Sequence, residues 1–387
     1  MKRLSQCMIV KNEEANIRRA LSWGAKITDE QIVVDTGSTD RTVEIAREMG
    51  AKVFSFPWNN DFSAAKNFAL SQAEGEWIAF LDADEYFEEE DAKKIPGILR
   101  NLSPEKTDGI MVSMMQLDSQ GKVSSGGTQV RLLANRKDLR YKRRIHEQLS
   151  REDGRTLQLA DGTQLLNVFH TGYAKVDDLQ ERKYERNIQM IRQELEEHPE
   201  DHEMLGYLGD VYYGAEQWEE AEAAYEKAIQ VMPAQLEDGD QRSAVTFLAL
   251  MRIWDQKNLP EKQIQELYEK ALSRGELQKD ADFDYLMARW YLTRDRCQEA
   301  LPYLLNAMKK LEEHGNFGRA LYASARLQEI CEQIAVCQKA AGNYQEAVRQ
   351  STAVLQVDPW SMTALCALLE SFHSGGVTAV QADQFLD

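Results

Sequence analysis

At 387 residues the chain has room for about two or three domains, each long enough to bury its own core. Its 43% hydrophobic content, 8 prolines and 22 glycines exclude a collagen-like, linker or disordered polypeptide. Lys and Arg total 46 against 64 Asp and Glu, and the net charge of −18 opposes binding to phosphate backbones or anionic lipid, so nucleic acid is not an expected partner. The acidity is uneven: residues 1–180 hold 25 basic and 28 acidic side chains, residues 181–387 hold 21 and 36. No apolar run approaches the ~20 residues of a membrane span. The five cysteines lack C-x-x-C spacing, and the start MKRLSQCMIVKNEE reads as a first strand and not a signal peptide, which together predict a cytoplasmic protein.

From the N-terminus, β-rich runs at Cys7 to Val10, Gln31 to Asp35, Val53 to Phe56 and Trp77 to Leu81 alternate with helical patterns. The helices are Glu14 to Trp23, Thr42 to Met49 and Ala64 to Ala73, and Asp40 sits at the expected N-cap of the second. Such alternation predicts a parallel sheet covered on both faces, with ligands bound beyond the carboxyl ends of its strands. The residues expected there are acidic: Asp35 ends the second run, and Asp82 and Asp84 follow the fourth. From Asn101 to Tyr173 the strand candidates are Ile110 to Gln116, Gln129 to Ala134 and Gln164 to His170, a less regular extension of the same domain. Between them, Arg136 to Arg144 places six basic residues in nine positions and reads as a solvated face.

Beyond Val176 almost everything reads as helix, with a period. Leu205, Leu208, Gly209, Tyr212, Ala221, Tyr225, Ala228 and Pro233 fall at positions 4, 7, 8, 11, 20, 24, 27 and 32 of a segment starting at His202. That is the tetratricopeptide pattern, with Leu for the usual Trp at position 4. Small residues at positions 8, 20 and 27 let two antiparallel helices approach, and the large ones fill the space between them. Weaker copies predict repeats near 245–278, 281–314 and 328–361 in addition to 202–235. The predicted division is an α/β domain over residues 1–175 and an all-α tetratricopeptide-repeat solenoid over 176–387.

Asp82-Ala83-Asp84 is the chemistry-bearing D-x-D. Two carboxylates two residues apart at a strand end can converge on one hard cation, Mn²⁺ or Mg²⁺, and such a cation commonly holds a diphosphate. Surface turns produce the same triplet, so its context decides. The ordered segments CMIVKNEE (7–14), VVDTGSTDRT (33–42), AAKNFA (64–69) and GEWIAFLDADE (75–85) resemble those of the family 2 glycosyltransferases. This family has the nucleotide-sugar-binding GT-A fold, Rossmann-like with a mostly parallel sheet. With the repeats behind it, the domain order is similar to that of the sublancin-type peptide S-glycosyltransferases and related bacterial enzymes.

The resemblance implies that Asp35 reads the uracil or the neighbouring ribose, with Val10 and Glu14 lining the same pocket. Lys66 would approach the base or the phosphates, Asp82 would lie near the ribose and metal, and Asp84 would be the direct metal ligand. On the residues alone, Asp35 and Asp40 suit turn and cap chemistry equally well, and Lys66 on a helix surface would ordinarily be solvated. RRIHE (143–147) and FHTGY (169–173) also resemble segments of the repeat-bearing subfamily. Ser150 breaks the H-E-x-x-H pattern, which leaves metal-peptidase chemistry unsupported. An inverting transferase needs a base for the acceptor proton, and Glu147 is assigned that role with His146 positioning substrate; the reverse assignment, and a surface ion pair from Glu147 to a nearby arginine, are the alternatives. His170 is a candidate third metal ligand or a core histidine, and Arg143 or Arg144 could neutralise the departing diphosphate. The expected protein is therefore a metal-dependent inverting glycosyltransferase that uses a UDP-sugar and a peptide or protein acceptor held by the repeats. An acceptor from cell-envelope glycan synthesis, an inactive nucleotide-binding scaffold, and a homodimer paired through the repeats are the other readings.

Overall fold

The computed structural model describes residues 3–171, 177–236, 240–315 and 321–386. Its contacts divide the chain into two compact units, Met1–Glu194 and Leu195–Asp387. The expected domain boundary at residues 175 and 176, with Gly172 and Tyr173 before it, lies outside the described residues.

The first unit opens with the expected alternation: β1 (Leu4–Val10), α1 (Ile17–Ser22), β2 (Glu30–Asp35), α2 (Thr42–Glu48), β3 (Lys52–Ser55), α3 (Phe62–Gln72) and β4 (Trp77–Phe80). The strands lie side by side in the order β3-β2-β1-β4, all parallel. Successive side chains of β1 go to opposite faces and both are covered, so its second half, Cys7 to Val10, is apolar without alternation, while the buried Ser5 and Gln6 of its first half are hydrogen-bonded to Glu30 and to the Ala20 carbonyl. Cys7 packs with Ile32, Val34, Ala69 and Phe80 on one face, and Met8 with Ile17, Leu21, Val33 and Ala46 on the other. Pairing of Val10 with Asp35, and of Cys7 with Phe80, brings the carboxyl ends of three strands to one edge. The loop before α1 is fixed by two backbone donors, from Glu13 to Thr42 Oγ1 at 2.7 Å and from Glu14 to Asp40 Oδ2 at 3.1 Å, so the helix starts three residues later than its apolar pattern.

The chain continues through β5 (Glu85–Phe87), α4 (Glu89–Ala92), α5 (Ile95–Arg100), β6 (Gly109–Leu117), β7 (Val123–Ala134), β8 (Leu139–Lys142), β9 (Gln148–Arg151), β10 (Leu159–Asp161), β11 (Asn167–His170) and α6 (Asp177–Glu197). β7 joins the sheet antiparallel to both β4 and β6, β11 runs parallel to β6, and β5 pairs antiparallel with β11. The sheet is thus parallel in its first half and mixed in its second. The basic run is a solvated face only in part. It contains β8, which forms a hairpin with β9, and buries Leu139 and Tyr141. Arg136 and Arg151 converge on the buried Asp108 at 2.5 and 3.1 Å and anchor the two strands.

In the second unit the predicted repeats are helix pairs: α7 (His202–Gly214) with α8 (Trp218–Val231), α9 (Gln241–Gln256) with α10 (Glu261–Leu272), α11 (Ala281–Leu292) with α12 (Cys297–His314), and, after the short α13 (Leu321–Ser324), α14 (Leu327–Ala340) with α15 (Tyr344–Val357). Two further helices, α16 (Met362–Ser374) and α17 (Ala379–Leu386), follow. Asp201, Asp240 and Asp280 accept backbone N–H groups at the starts of α7, α9 and α11. Among the described residues no helix is long and apolar enough to cross a membrane.

The first repeat carries out the packing its sequence implies, because a Cβ added at Gly209 would overlap the ring of the buried Tyr225. Alanine favours a helix interior over glycine by about 1 kcal/mol, yet Gly209→Ala should destabilise the repeat unit by about 1–3 kcal/mol, since overpacking outweighs propensity here. Urea denaturation followed by circular dichroism measures the change; a stabilised variant would contradict the close approach.

Candidate active site

A cavity of about 700 Å³ opens at the carboxyl ends of β1 and β4. Six of the residues expected from sequence line it: Val10, Lys66, Asp82, Asp84, His146 and Glu147. They arrive from different elements. Lys66 comes from α3, Asp82 and Asp84 from the turn after β4, and His146 and Glu147 from the loop between β8 and β9. That loop holds Arg143 and His146 at φ of 74° and 53°, a backbone conformation that side chains other than glycine seldom adopt and that recurs at functional sites.

Lys66 occupies the centre. It is 4% exposed, not solvated, and its Nζ lies 2.6 Å from Glu147 Oε1 and 3.6 Å from Asp82 Oδ1. The partner of Glu147 is thus this lysine and not one of the neighbouring arginines. The rings of Phe80 and Tyr141 stand on either side, each 5.2 Å from the ammonium. Burial works against a charge at this place, but the carboxylates of Asp82 and Glu147 outweigh it and hold Lys66 protonated well above the usual lysine range. The next residue fixes its position: Asn67 accepts from the backbone N–H of Tyr141 at 2.9 Å and donates to its carbonyl at 2.8 Å, locking α3 to β8.

A second buried cation completes the cluster. Arg131 on β7 lies 2.5 Å from Glu85 Oε1 and 3.6 Å from Asp82 Oδ2, and Glu85 in turn accepts the backbone N–H of Asp82 at 3.1 Å. Burial, reinforced by the charge of Asp82, pushes the Glu85 carboxyl upward against the pull of Arg131. Sequence reasoning missed Arg131. Its signal was a lone charge opening the apolar stretch Arg131 to Ala134, since a charge in a buried strand implies a buried partner.

Asp84 faces the other way. Its Oδ2 is 3.0 Å from His170 Nε2, and His170 Nδ1 is 2.5 Å from Gln116 Oε1. The strand register brings these together, because His170 pairs with Glu85 of β5 on one side and Gln116 of β6 on the other. With Nδ1–H donating to the amide oxygen, Nε2 keeps its lone pair beside a carboxylate oxygen. Two electron-rich atoms 3.0 Å apart need either a proton or a cation between them. A carboxylate oxygen and an imidazole nitrogen at that spacing fit a divalent cation of borderline character such as Mn²⁺ better than Mg²⁺, which takes oxygen ligands; Asp84 and His170 would hold the Mn²⁺. Burial tends to lower the His170 pKa, but the Asp84 carboxylate prevails and the net shift is upward. Asp82, engaged by two protein cations, belongs to the neighbouring cluster and not to this pair.

Four expected residues, Glu14, Asp35, Arg144 and His170, are not among those lining the cavity. Asp35 accepts the backbone N–H groups of Gly37 and Ser38 at 3.3 and 3.0 Å, and Glu14 accepts that of Arg41 at 3.0 Å. Asp40 accepts both the N–H and the hydroxyl of Thr42 but stands one residue before the observed cap, Arg41, and so is not itself the N-cap expected from sequence. Arg144 bonds through its backbone N–H to Glu194 at 2.9 Å and brings its guanidinium to 3.9 Å from Asp61. The lining also includes the apolar residues Trp58, Phe62, Ile145, Leu149 and Leu157, with Arg186 of α6 5.3 Å from the ring of Phe62.

Residues 5–162 match the model of the family described as Glycosyl transferase family 2, and residues 202–235 match the Tetratricopeptide repeat. A TPR repeat-containing protein of Synechococcus elongatus is 31% identical over 316 residues, which cover 78% of this chain and 74% of that protein. An uncharacterized glycosyltransferase of Rickettsia typhi is 48% identical over 90 residues, 23% of this chain and 30% of that one. The SPbeta prophage-derived glycosyltransferase SunS of Bacillus subtilis is 28% identical over 225 residues, covering 57% of this chain and 52% of its own.

The Arg131 and Glu85 side chains are both buried, so removing one partner strands the other. Arg131→Met should cost about 3–5 kcal/mol of stability in urea denaturation, and adding Glu85→Gln should recover part of the loss. A cost below about 1 kcal/mol would show that the pair does not hold the acidic cluster in place.

Proposed function

This chain belongs to glycosyl transferase family 2 and carries tetratricopeptide repeats behind its transferase domain; from that premise we propose an inverting transferase that moves a sugar from a UDP-sugar to a peptide or protein acceptor held by the repeats. The observation that carries this reading is the shared lysine. Lys66 faces Asp82 on one side and Glu147 on the other within one cavity that Asp84 also lines, so groups suited to a donor and a group suited to an acceptor meet across one charge.

In this reading Val10, Asp35 and Glu14, at the carboxyl ends of β1 and β2 and in the loop beyond, serve the nucleoside. A divalent cation held by Asp84 and His170 would screen the diphosphate and ease its departure. Glu147 accepts the proton of the acceptor hydroxyl or thiol as that oxygen or sulfur attacks the anomeric carbon from the face opposite the diphosphate. The new bond forms while the carbon–oxygen bond to the diphosphate breaks, and the electron pair leaves with the nucleoside diphosphate. His146, beside Glu147, orients the acceptor. Arg131 lines the cavity where Arg144 does not, which makes it the better candidate for screening the leaving group. The apolar residues of the lining, from Trp58 to Leu157, keep water from competing with the acceptor.

The acceptor assignment rests on the repeats, which stack into extended concave surfaces suited to extended chains, and on the surplus of acid in the second half, which favours a basic peptide. Five free thiols support a cytoplasmic setting.

Asp84→Ala should abolish divalent-ion-dependent release of UDP from UDP-sugars with the melting temperature of the ligand-free protein unchanged. Glu147→Gln should retain UDP binding and lower transfer to Ser-, Thr- or Cys-containing peptides by ~10²–10⁴-fold. Full turnover by the first variant removes the metal role, and full transfer by the second moves the base elsewhere.

A further inference from the structure

Two tasks in the reading above require the same ammonium group. Glu147 Oε1, an oxygen that would take the acceptor proton, is already occupied by Lys66 at 2.6 Å. A donor diphosphate reaching inward from Asp84 meets the same lysine, whose contact with Asp82 is looser at 3.6 Å. Lys66 is 4% exposed, boxed between Phe80 and Tyr141, and carried on a helix locked by Asn67, so its ammonium can swing between neighbours but cannot retreat to solvent. A diphosphate bears more charge than one carboxylate, and in a site screened from water the more highly charged anion competes better for a fixed cation.

We propose that Lys66 is a positioning residue that exchanges partners during the reaction: it holds Glu147 while the cavity lacks donor, and turns to the donor diphosphate on binding, which frees the Glu147 carboxylate for the acceptor proton. The inference rests on the reading of Glu147 as the base. It makes the base available only when the sugar to be transferred is in place, and it requires donor binding to precede productive acceptor binding. The proton passes from acceptor to Glu147, and the ammonium of Lys66 stays protonated throughout.

Competition for one cation has a measurable consequence that needs no knowledge of the acceptor. If Glu147 and diphosphate contend for Lys66, weakening the Glu147 contact must tighten diphosphate binding. The experiment is isothermal titration, in Mn²⁺ buffer, of UDP and of inorganic pyrophosphate as a nucleoside-free probe. The proteins are the full-length wild type, Glu147→Gln and Glu147→Asp. The shorter aspartate keeps the negative charge in the cavity but draws it away from Nζ, which separates loss of the ion pair from loss of simple repulsion. Both variants should bind both probes at least about 5-fold more tightly than wild type, a coupling at the low end for two sites that share a partner. In a Lys66→Met background the gain from Glu147→Gln should vanish, as a double-mutant cycle requires of residues that act through each other. Tightening by Glu147→Gln alone would overturn the exchange in favour of repulsion, and no tightening by either variant would overturn it outright. If Lys66→Met fails to fold, the aspartate and glutamine variants still decide the matter. Loss of peptide transfer in Glu147→Gln without tightening leaves the base in place and removes the exchange. Absence of any binding by both probes to all proteins overturns the exchange and the diphosphate donor together.

Discussion

The placement of one buried ammonium group governs this transferase domain. Lys66 brings its charge to a place where burial penalises it, and it is stable there because carboxylates from two other parts of the chain surround it. Asp82 arrives on the turn after β4 and Glu147 on the loop between β8 and β9. The cation therefore ties the parallel part of the main sheet to the separate β8–β9 hairpin. Asn67, the following residue, makes the same connection through the backbone of Tyr141, so position and charge are set together. Arg131 repeats the device with Glu85 and leaves Asp82 flanked by two cations.

This arrangement explains why the two acidic residues of the D-x-D motif have different neighbours although only one residue separates them. Asp82 turns into the cluster of buried charges, while Asp84 turns toward His170, whose other ring nitrogen lies against Gln116. Strand order makes the second pairing unavoidable, because β11 is inserted between β6 and β5 and carries His170 into register with both. The parallel half of the sheet thus presents Asp82 and Asp84 beyond β4, the mixed half brings His170 to Asp84, and the separate β8–β9 hairpin brings Glu147 to Lys66. Membership of glycosyl transferase family 2 agrees with that division of labour.

The fold was legible where local pattern and tertiary environment coincide. The central stretches Cys7 to Val10, Ile32 to Val34 and Trp77 to Phe80 are covered by core on both faces and so are apolar without alternation, and the repeats declare themselves because a glycine such as Gly209 is needed where a ring such as Tyr225 crosses a helix. The hairpin of β8 and β9 was obscured because its arginines, read singly, look like surface residues; Asp108, which draws Arg136 and Arg151 inward, is remote in sequence. The site was legible in its acids and histidines, since these residue types carry the chemistry by themselves. Its pairings were not. That Glu147 lies against Lys66, and that Glu14 accepts the backbone N–H of Arg41, depends on distances between segments that no local spacing encodes.

Crystals grown with manganese and UDP, measured for anomalous scattering from the metal, test the central claim most directly. The account predicts a manganese peak within bonding distance of Asp84 and His170, with the diphosphate directed toward Lys66. A nucleotide bound away from the carboxyl ends of β1 and β4, or manganese held without either of those two residues, would contradict it.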